Sequence, residues 1–324
     1  MAQAASSVPP PTRAYNMEMQ HAEADRSRPD CQGWVFGLPP GIKSQQWPLD
    51  PNCGYPLMHG FTVLLPEDYR CHGPDIVALS FFAIAGDQND GGPATSTKIG
   101  EVMKAASDTP PSDPELVVFW QSLRNCHPRL HRMKDILDCE YAIILLTRAE
   151  FDGPFCQPPR LGINMYLADT EPPKWLEVGG GRAYFGDISP HLDLRLEDYY
   201  AYKLLGTIPE PRLDWNRAID VTPRAQDPNS GKAPEEDYGQ GTVSGYQRSY
   251  YWEGDVIDQQ NYREHEWVKD HKRDHIGGTM QPVQGMPKFS PFYIGFEEYF
   301  GGYNFGTGNC QVDFLNMELD WACG

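Results

Sequence analysis

Glycine-rich segments are the first place to look for chemistry, because backbone amides in such loops can bind phosphate groups. Two of them are FGGYNFGTGNC at 300–310 and GQGTVSG at 239–245. The first fits neither the dinucleotide-binding pattern G-x-G-x-x-G nor the phosphate-loop pattern G-x-x-x-x-G-K-S/T. The second has Ser244 where the dinucleotide-binding pattern needs its third glycine. We therefore interpret these glycines as turn and bulge residues, and we predict no nucleotide site.

A second candidate is a metal site in YREHEWVKDHKRDH at 262–275. On a helix, His271 and His275 would lie one turn apart on the same face, with Glu266 and Asp274 nearby. Zinc requires three or four converging ligands, and this segment supplies two. A solvated, charged helix that ends at Gly277 is the favoured prediction, with His271 and His275 as weak metal-ligand candidates.

The sequence offers no support for catalysis. It contains no G-x-S-x-G segment, and none of its eight cysteines lies in a recognisable catalytic motif. The pairs Glu67-Asp68 and Glu297-Glu298 would point to opposite faces of a strand, which disfavours a paired acid and base. We predict solvated edge charges at these positions, no catalytic residue and no cofactor.

An aromatic segment, GYQRSYYWEGD at 245–255, is the strongest candidate for binding. Exposed Tyr and Trp beside acidic residues are typical of a protein-binding surface with a charged rim. Ordinary core packing is the alternative. The residues predicted to contact a partner are Tyr246, Tyr250, Tyr251, Trp252, Glu253 and Asp255.

Composition limits the function further. The chain has 324 residues and a formal net charge of −18, so it should be repelled by nucleic acid, and a partner with a basic surface is favoured. No segment is long and apolar enough for a membrane span, and no secretory signal is visible. The cysteines include no C-x-x-C pair, which favours reduced thiols and a cytoplasmic location.

These residues must be positioned by a fold that is rich in turns, since 31 glycines and 30 prolines interrupt the chain. Residues 1–32 are predicted to be a disordered tail, and residues 33–324 a single globular domain. Apolar runs at 76–86 and 141–146 predict strands, whereas 95–106, 114–137 and 194–206 show helical spacing. Residues 222–249 predict a long surface loop.

Two segments resemble each other, YPLMHGFTVLLPEDY at 55–69 and MPKFSPFYIGFEEYF at 286–300. Each contains a turn, an apolar strand, an acidic pair and an aromatic residue, which favours an internal duplication over chance. The predicted fold is α+β and β-rich, with two related half-domains and short helices on the periphery. The halves are about 33–150 and about 250–324, joined by a connecting region at about 151–249.

The C-terminal part also resembles the YwqG-like family of bacterial proteins, which has a paired-glycine element and a later glycine-rich element. The N-terminal segment from Gly37 is similar to the opening of that family, whereas Thr307 stands where the family commonly has Asp. The matching residues, expected to be structural, are Gly277, Gly278, Gln284, Asn304, Phe305, Gly306, Gly308 and Phe314. The resemblance implies a duplicated β-rich fold related to the programmed cell death protein 2 group, without established catalytic residues.

The resemblance implies chaperone-like roles through the programmed cell death protein 2 group, which is tied to ribosome assembly, and immunity to secreted toxins through some bacterial members of the YwqG-like family. Together with the acidic composition, this favours a non-enzymatic protein-binding module, most specifically an immunity protein that neutralises a secreted toxin with a basic surface. One alternative is a chaperone or adaptor for a secreted effector or an assembly client. Another is a metal-dependent hydrolase centred on His271 and His275.

Overall fold

The computed structural model describes residues 8–88, 95–105, 107–162, 164–167, 170–188, 210–237, 241–254 and 259–324. The predicted helix at 194–206 and the predicted contact residue Asp255 lie outside these ranges. All eight cysteines are free, and five of them are buried.

The described residues form thirteen strands, most of them in one antiparallel sheet. The strands are β1 (Tyr15–Met19), β2 (Gly33–Phe36), β3 (Met58–Leu64), β4 (Ile76–Ala83), β5 (Leu130–Lys134), β6 (Glu140–Thr147), β7 (Asn216–Pro223), β8 (Tyr250–Trp252), β9 (Tyr262–Glu264), β10 (His275–Ile276), β11 (Tyr293–Glu297), β12 (Asn309–Asp313) and β13 (Glu318–Ala322). Eleven of them lie in the order β13-β12-β11-β10-β1-β7-β2-β3-β4-β6-β5, and β8 and β9 form a separate pair. The prediction of a β-rich fold is confirmed.

The large sheet curls around an aromatic core. Phe61 on β3 and Phe296 on β11 are separated by four strands in the sheet order, yet their ring centroids lie 5.2 Å apart. Phe81 on β4 also contacts Phe296, with ring centroids 5.3 Å apart. These contacts require the two halves of the sheet to face each other, so that the edge strands β5 and β13 approach.

The apolar runs at 76–86 and 141–146 form strands, as predicted. Every residue of β4 is buried, and β6 is buried except for Thr147. Strands buried on both faces need continuous apolar sequence, and these two runs supply it.

The helices are short. They are α1 (Thr97–Lys104), α2 (Val117–Arg124), α3 (Arg148–Phe151), α4 (Trp175–Val178) and α5 (Gly180–Arg182), and Ala183–Ile188 adds a π-helical turn. Single 3₁₀ turns occur at Ser44–Gln46, Glu67–Tyr69, Pro114–Leu116, Gln259–Asn261 and Glu266–Val268. The predicted helix over 114–137 is right only as far as Arg124, because the segment after Pro128 pairs with β6 as β5. Within the described part of the chain, no helix is both long and apolar enough to cross a membrane.

Helices α1 and α2 cover a second, smaller hydrophobic cluster. Ile99 from α1 and Phe119 from α2 pack there with Leu49, Tyr55 and Leu167. This cluster lies apart from the main aromatic core of the sheet.

The prediction of a disordered tail at 1–32 is wrong for the described residues of that segment. Strand β1 lies in the middle of the sheet, paired with β10 on one side and β7 on the other, and Met17 is only 1% exposed. The backbone amides of Thr12 and Arg13 donate to Asp68 Oδ2 at 2.9 and 3.2 Å. The alternation of Tyr15, Met17 and Met19 with polar residues is a strand pattern that the charged surroundings obscured.

The prediction of solvated edge charges is wrong for Asp68 and Glu298, whereas Glu67 is exposed. Glu298 is buried, and its Oε2 accepts hydrogen bonds from the amides of Phe305 and Thr307, both at 3.1 Å. Asp68 likewise accepts backbone amides. Glu298 fixes the loop that follows it, and Asp68 fixes the segment that precedes β1, so both carboxylates have a structural role.

Candidate functional site

The aromatic residues 250–252 lie on a two-stranded element that is separate from the large sheet. Strand β8 pairs with β9 in antiparallel register, with Tyr250 opposite Glu264 and Trp252 opposite Tyr262. The Glu253 amide extends the pairing by donating to the Asn261 carbonyl at 2.7 Å. We call this element, residues 250–252 and 262–264, the aromatic ribbon.

One face of the aromatic ribbon is a cluster of three rings. Tyr250 and Trp252 share this face because side chains alternate along a strand. Tyr262 stacks on Tyr250 with centroids 5.1 Å apart and meets the edge of Trp252 at 5.8 Å. Tyr262 remains 39% exposed. The rings support one another, and part of their surface still faces solvent.

On the other face, a series of contacting rings begins at Tyr251 and ends at His271. We call this series the ring ladder. Tyr251, which is 45% exposed, lies 4.9 Å from His265, and His265 stacks on Trp267 at 5.3 Å. Trp267 in turn lies 5.5 Å from His271. Aromatic pairs at such separations stabilise by roughly 0.5–1.5 kcal/mol each beyond burial, so the ring ladder holds the ribbon in place.

Two grooves border the aromatic ribbon, with volumes of about 650 Å³ and about 330 Å³. Asp237, Arg248 and Tyr250 line both of them. The smaller groove is also lined by Glu236 and Glu264. Four carboxylates and two guanidinium groups line the smaller groove, so its balance is acidic.

The predicted partner-binding residues separate into two groups. Tyr250, Tyr251 and Trp252 lie on the aromatic ribbon, and Glu253 pairs with Arg263 there at 2.7 Å. Both members of this pair are well exposed, so it contributes little stability.

Tyr246 is not available to a partner, contrary to the prediction. It is 4% exposed, its hydroxyl donates to the Gly278 carbonyl at 3.0 Å, and the same hydroxyl accepts from the Met280 amide at 2.7 Å. Burial raises the pKa of this hydroxyl above its ordinary value. The residue anchors the segment before the ribbon to the β10 turn.

The predicted helix at 262–275 is wrong, and the geometry that placed His271 and His275 on one face disappears with it. His275 lies on β10, and its Nδ1 is 2.9 Å from the Gly277 carbonyl. His271 Nε2 is 2.8 Å from the Gln226 carbonyl. Because a carbonyl only accepts, each of these nitrogens must carry a proton, which disfavours it as a ligand. Among the described residues, no group of three or more His, Cys, Asp or Glu could hold a metal ion.

A buried ion pair fixes the loop that precedes the ribbon, and the sequence pattern did not indicate it. Arg224 and Asp227 are fully buried in the segment predicted as a surface loop, with Nη1 and Oδ2 2.8 Å apart. Arg224 Nε also donates to Asn16 Oδ1 at 2.8 Å, and Asp227 accepts from the amide and hydroxyl of Thr279. Such a fully hydrogen-bonded pair is a structural clamp between β1, the loop and the β10 turn.

The residues that resemble family motifs are also structural. Gly277 has φ +60°, and a Cβ there would lie 1.8 Å from the Tyr69 hydroxyl. Gly278 has φ +79° and has no room for a Cβ beside Asp227. Phe305 and Phe314 are completely buried, and Gln284 Nε2 donates to the Cys323 carbonyl at 3.0 Å. Gly306 lies in a bend with φ +61°, and Gly308 directly precedes β12, where a Cβ would lie 1.6 Å from the Ala322 carbonyl oxygen.

Sequence reasoning missed Tyr262, His265 and Trp267. The segment YREHEW has no strict alternation that would indicate a strand, and the two histidines farther along led us to interpret it as a helix. Comparisons with protein-family models, curated proteins and solved structures yield no match to this chain.

Proposed function

We propose that this protein is a non-enzymatic protein-binding module that contacts its partner through the aromatic ribbon. The observation that carries the proposal is the partial exposure of Tyr251 and Tyr262 on an element that stands outside the large sheet. Aromatic side chains supply large, rigid contact area at low entropic cost, and they are enriched among residues that dominate binding energy.

The charge of the molecule favours a basic partner. With a net charge of −18 and an acidic groove beside the ribbon, a cationic surface would be steered toward this site and held by charge complementarity. The most specific form of the proposal is a cytoplasmic bacterial immunity protein that covers the basic substrate channel of a secreted toxin.

A chaperone or adaptor is the second candidate. It is favoured by apolar side chains that are exposed far from the ribbon in sequence, such as Ile136 and Met165. Scattered apolar contacts suit an incompletely folded client, whereas a single aromatic ribbon suits a folded partner.

We also infer a relationship to the YwqG-like family and an internal duplication, which rest on the motif residues and on one structural parallel. Strand β3 is followed by a turn that carries Asp68, and β11 by a turn that carries Glu298. Each carboxylate accepts two backbone amides, from the N-terminal segment at Asp68 and from the following loop at Glu298. This parallel covers only the two strands and the turns that follow them. It supports a duplication of those segments.

The deciding experiment is co-expression of the chain with the product of the neighbouring gene, if that gene encodes a toxin domain. We expect a one-to-one complex with the folded toxin in size-exclusion chromatography with light scattering, and loss of toxicity. Recovery of only unfolded clients at physiological salt would instead support the chaperone. Turnover of a small molecule by the isolated chain, abolished by one substitution, would contradict both.

A further inference from the structure

A cavity of about 850 Å³ lies beside the second hydrophobic cluster. This volume falls within the roughly 300–1,000 Å³ typical of small-ligand pockets. Its apolar wall includes Pro158, Leu161, Leu167, Pro172, Leu176 and Leu213.

Part of the wall of this cavity is held in place by hydrogen bonds from Tyr55 and Asn164, two of its neutral polar side chains. The Tyr55 hydroxyl donates toward the carbonyls of Leu167 and Thr170, at 3.2 and 3.1 Å. Asn164 donates to the Glu115 carbonyl at 2.8 Å and accepts from the Tyr166 amide at 2.9 Å. Of the neutral polar side chains, the exposed amide of Gln157 remains available to a ligand.

Two charged side chains on the rim remain available. Arg160 and Glu171 both line the cavity and are both exposed. Neither side chain forms an ion pair with any described residue, and they do not pair with each other. The cavity therefore combines an apolar wall with one unpaired cation and one unpaired anion on its rim. A single ligand that pairs with both must carry one group of each charge.

We propose that this cavity binds a short apolar peptide with free termini. Its side chains would be buried against the leucines and prolines, its carboxylate would meet Arg160, and its ammonium group would meet Glu171. A neutral apolar ligand would leave both charges without a partner, and an apolar anion would satisfy only Arg160. The site is independent of the aromatic ribbon and of the function proposed for it.

The test uses trileucine as the probe, together with its N-acetylated and its C-amidated forms, titrated into the full chain by calorimetry. Exposed ion pairs contribute up to about 1 kcal/mol, so blocking either terminus should weaken binding by about threefold to fivefold. Arg160→Gln should remove the difference between trileucine and its amide, and Glu171→Gln the difference between trileucine and its acetylated form. Glu177→Gln, an exposed carboxylate that does not line the cavity, is the control and should preserve both differences.

Three outcomes would overturn the proposal. If none of the three peptides binds up to its solubility limit, the cavity is not a peptide site. If all three bind equally, the rim charges play no part. If only amidation weakens binding, the ligand is an apolar anion and not a peptide with free termini. None of these results bears on the aromatic ribbon, since Trp252 does not line the cavity.

Discussion

The indole Nε1 of Trp321 donates a hydrogen bond to Asp135 Oδ2 at 2.7 Å, across 186 residues of sequence. Trp321 lies on β13 and Asp135 follows β5, so this contact joins the two edges of the eleven-stranded sheet. Asp135 also accepts from the amides of Leu137 and Cys139 and from the Tyr141 hydroxyl. One carboxylate thus organises the turn between β5 and β6 and holds the far edge against it.

Replacing Trp321 with Phe should therefore destabilise the fold. The variant keeps a ring against Phe305 but leaves the Asp135 carboxylate without one of its donors. Hydrogen bonds to charged groups contribute roughly 1.5–3 kcal/mol, and we expect a loss of about that size in urea unfolding followed by circular dichroism. Trp120→Phe on α2 is the control. Equal stabilities of the two variants would show that the sheet edges do not depend on this contact.

Acidification should destabilise the protein through two buried histidines. Burial lowers the pKa of His59 to about 4 and that of His275 to about 3. The unfolded chain, with an ordinary histidine pKa near 6.5, binds these protons at a higher pH than the folded chain does. Stability should fall as pH drops below about 6.5, approaching roughly 3 kcal/mol for His59 near pH 4. Urea midpoints between pH 4.5 and 7.5 measure this slope, and His59→Gln should reduce it.

Asp274 should make the stability depend on pH in the opposite direction from the two histidines. Burial raises its pKa to about 7, although its oxygens accept from the Glu297 amide and the Tyr299 hydroxyl. The folded chain therefore holds this proton at a pH where the unfolded chain has lost it. The stabilisation that this bound proton gives the folded chain is present below about pH 4 and is lost as pH rises to 7. Relative to wild type, Asp274→Asn should gain up to about 4 kcal/mol of stability between pH 4 and pH 7. A constant difference across that range would mean that Asp274 is ionised in the fold.

Gly277 should tolerate no side chain. Its φ is +60°, and an added Cβ would lie 1.8 Å from the Tyr69 hydroxyl oxygen and 2.7 Å from the ring carbon Cζ. The conformation alone costs roughly 1–2 kcal/mol for alanine, and the overlap adds strain, so Gly277→Ala should lose at least about 3 kcal/mol. Gly285→Ala, where a Cβ meets open space, is the matched control and should be close to neutral. Similar stability of both variants in thermal denaturation would contradict the packing described for this turn.

The aromatic ribbon should contribute most of the partner affinity. Once a partner is isolated, Trp252→Ala should weaken its binding by at least about 2 kcal/mol, or roughly thirtyfold, because central aromatic residues dominate interface energies. Trp120→Ala removes an indole from α2 and should leave affinity unchanged. Calorimetry or surface plasmon resonance measures both. Unchanged affinity for the Trp252 variant with its fold intact would remove the ribbon from the interface.

Local pattern was enough to predict several elements. The apolar runs that became β4 and β6 predict buried strands because burial on both faces needs continuous apolar sequence. The aromatic and acidic composition of 245–255 predicted a binding surface, which stays a prediction, and three of its rings lie on the ribbon. Glycine patterns that fit no phosphate loop correctly indicated turn conformations with positive φ at Gly301 and Gly306.

Contacts between distant segments determined the rest, because burial and pairing depend on residues that no local window contains. Tyr246 and Tyr251 are alike in sequence context, yet one is enclosed by the β10 turn and the other faces solvent. Residues 15–19 became a central strand only because distant segments supply its partners, Ile219 to Pro223 on β7 and His275 and Ile276 on β10. Tyr55 and Leu213 line the same cavity although they are far apart in sequence. The hydrogen bond between Trp321 and Asp135 forms only because the sheet curls and its edges meet. Periodicity encodes which residues prefer a strand, whereas the free energy of packing selects the partners that each strand obtains.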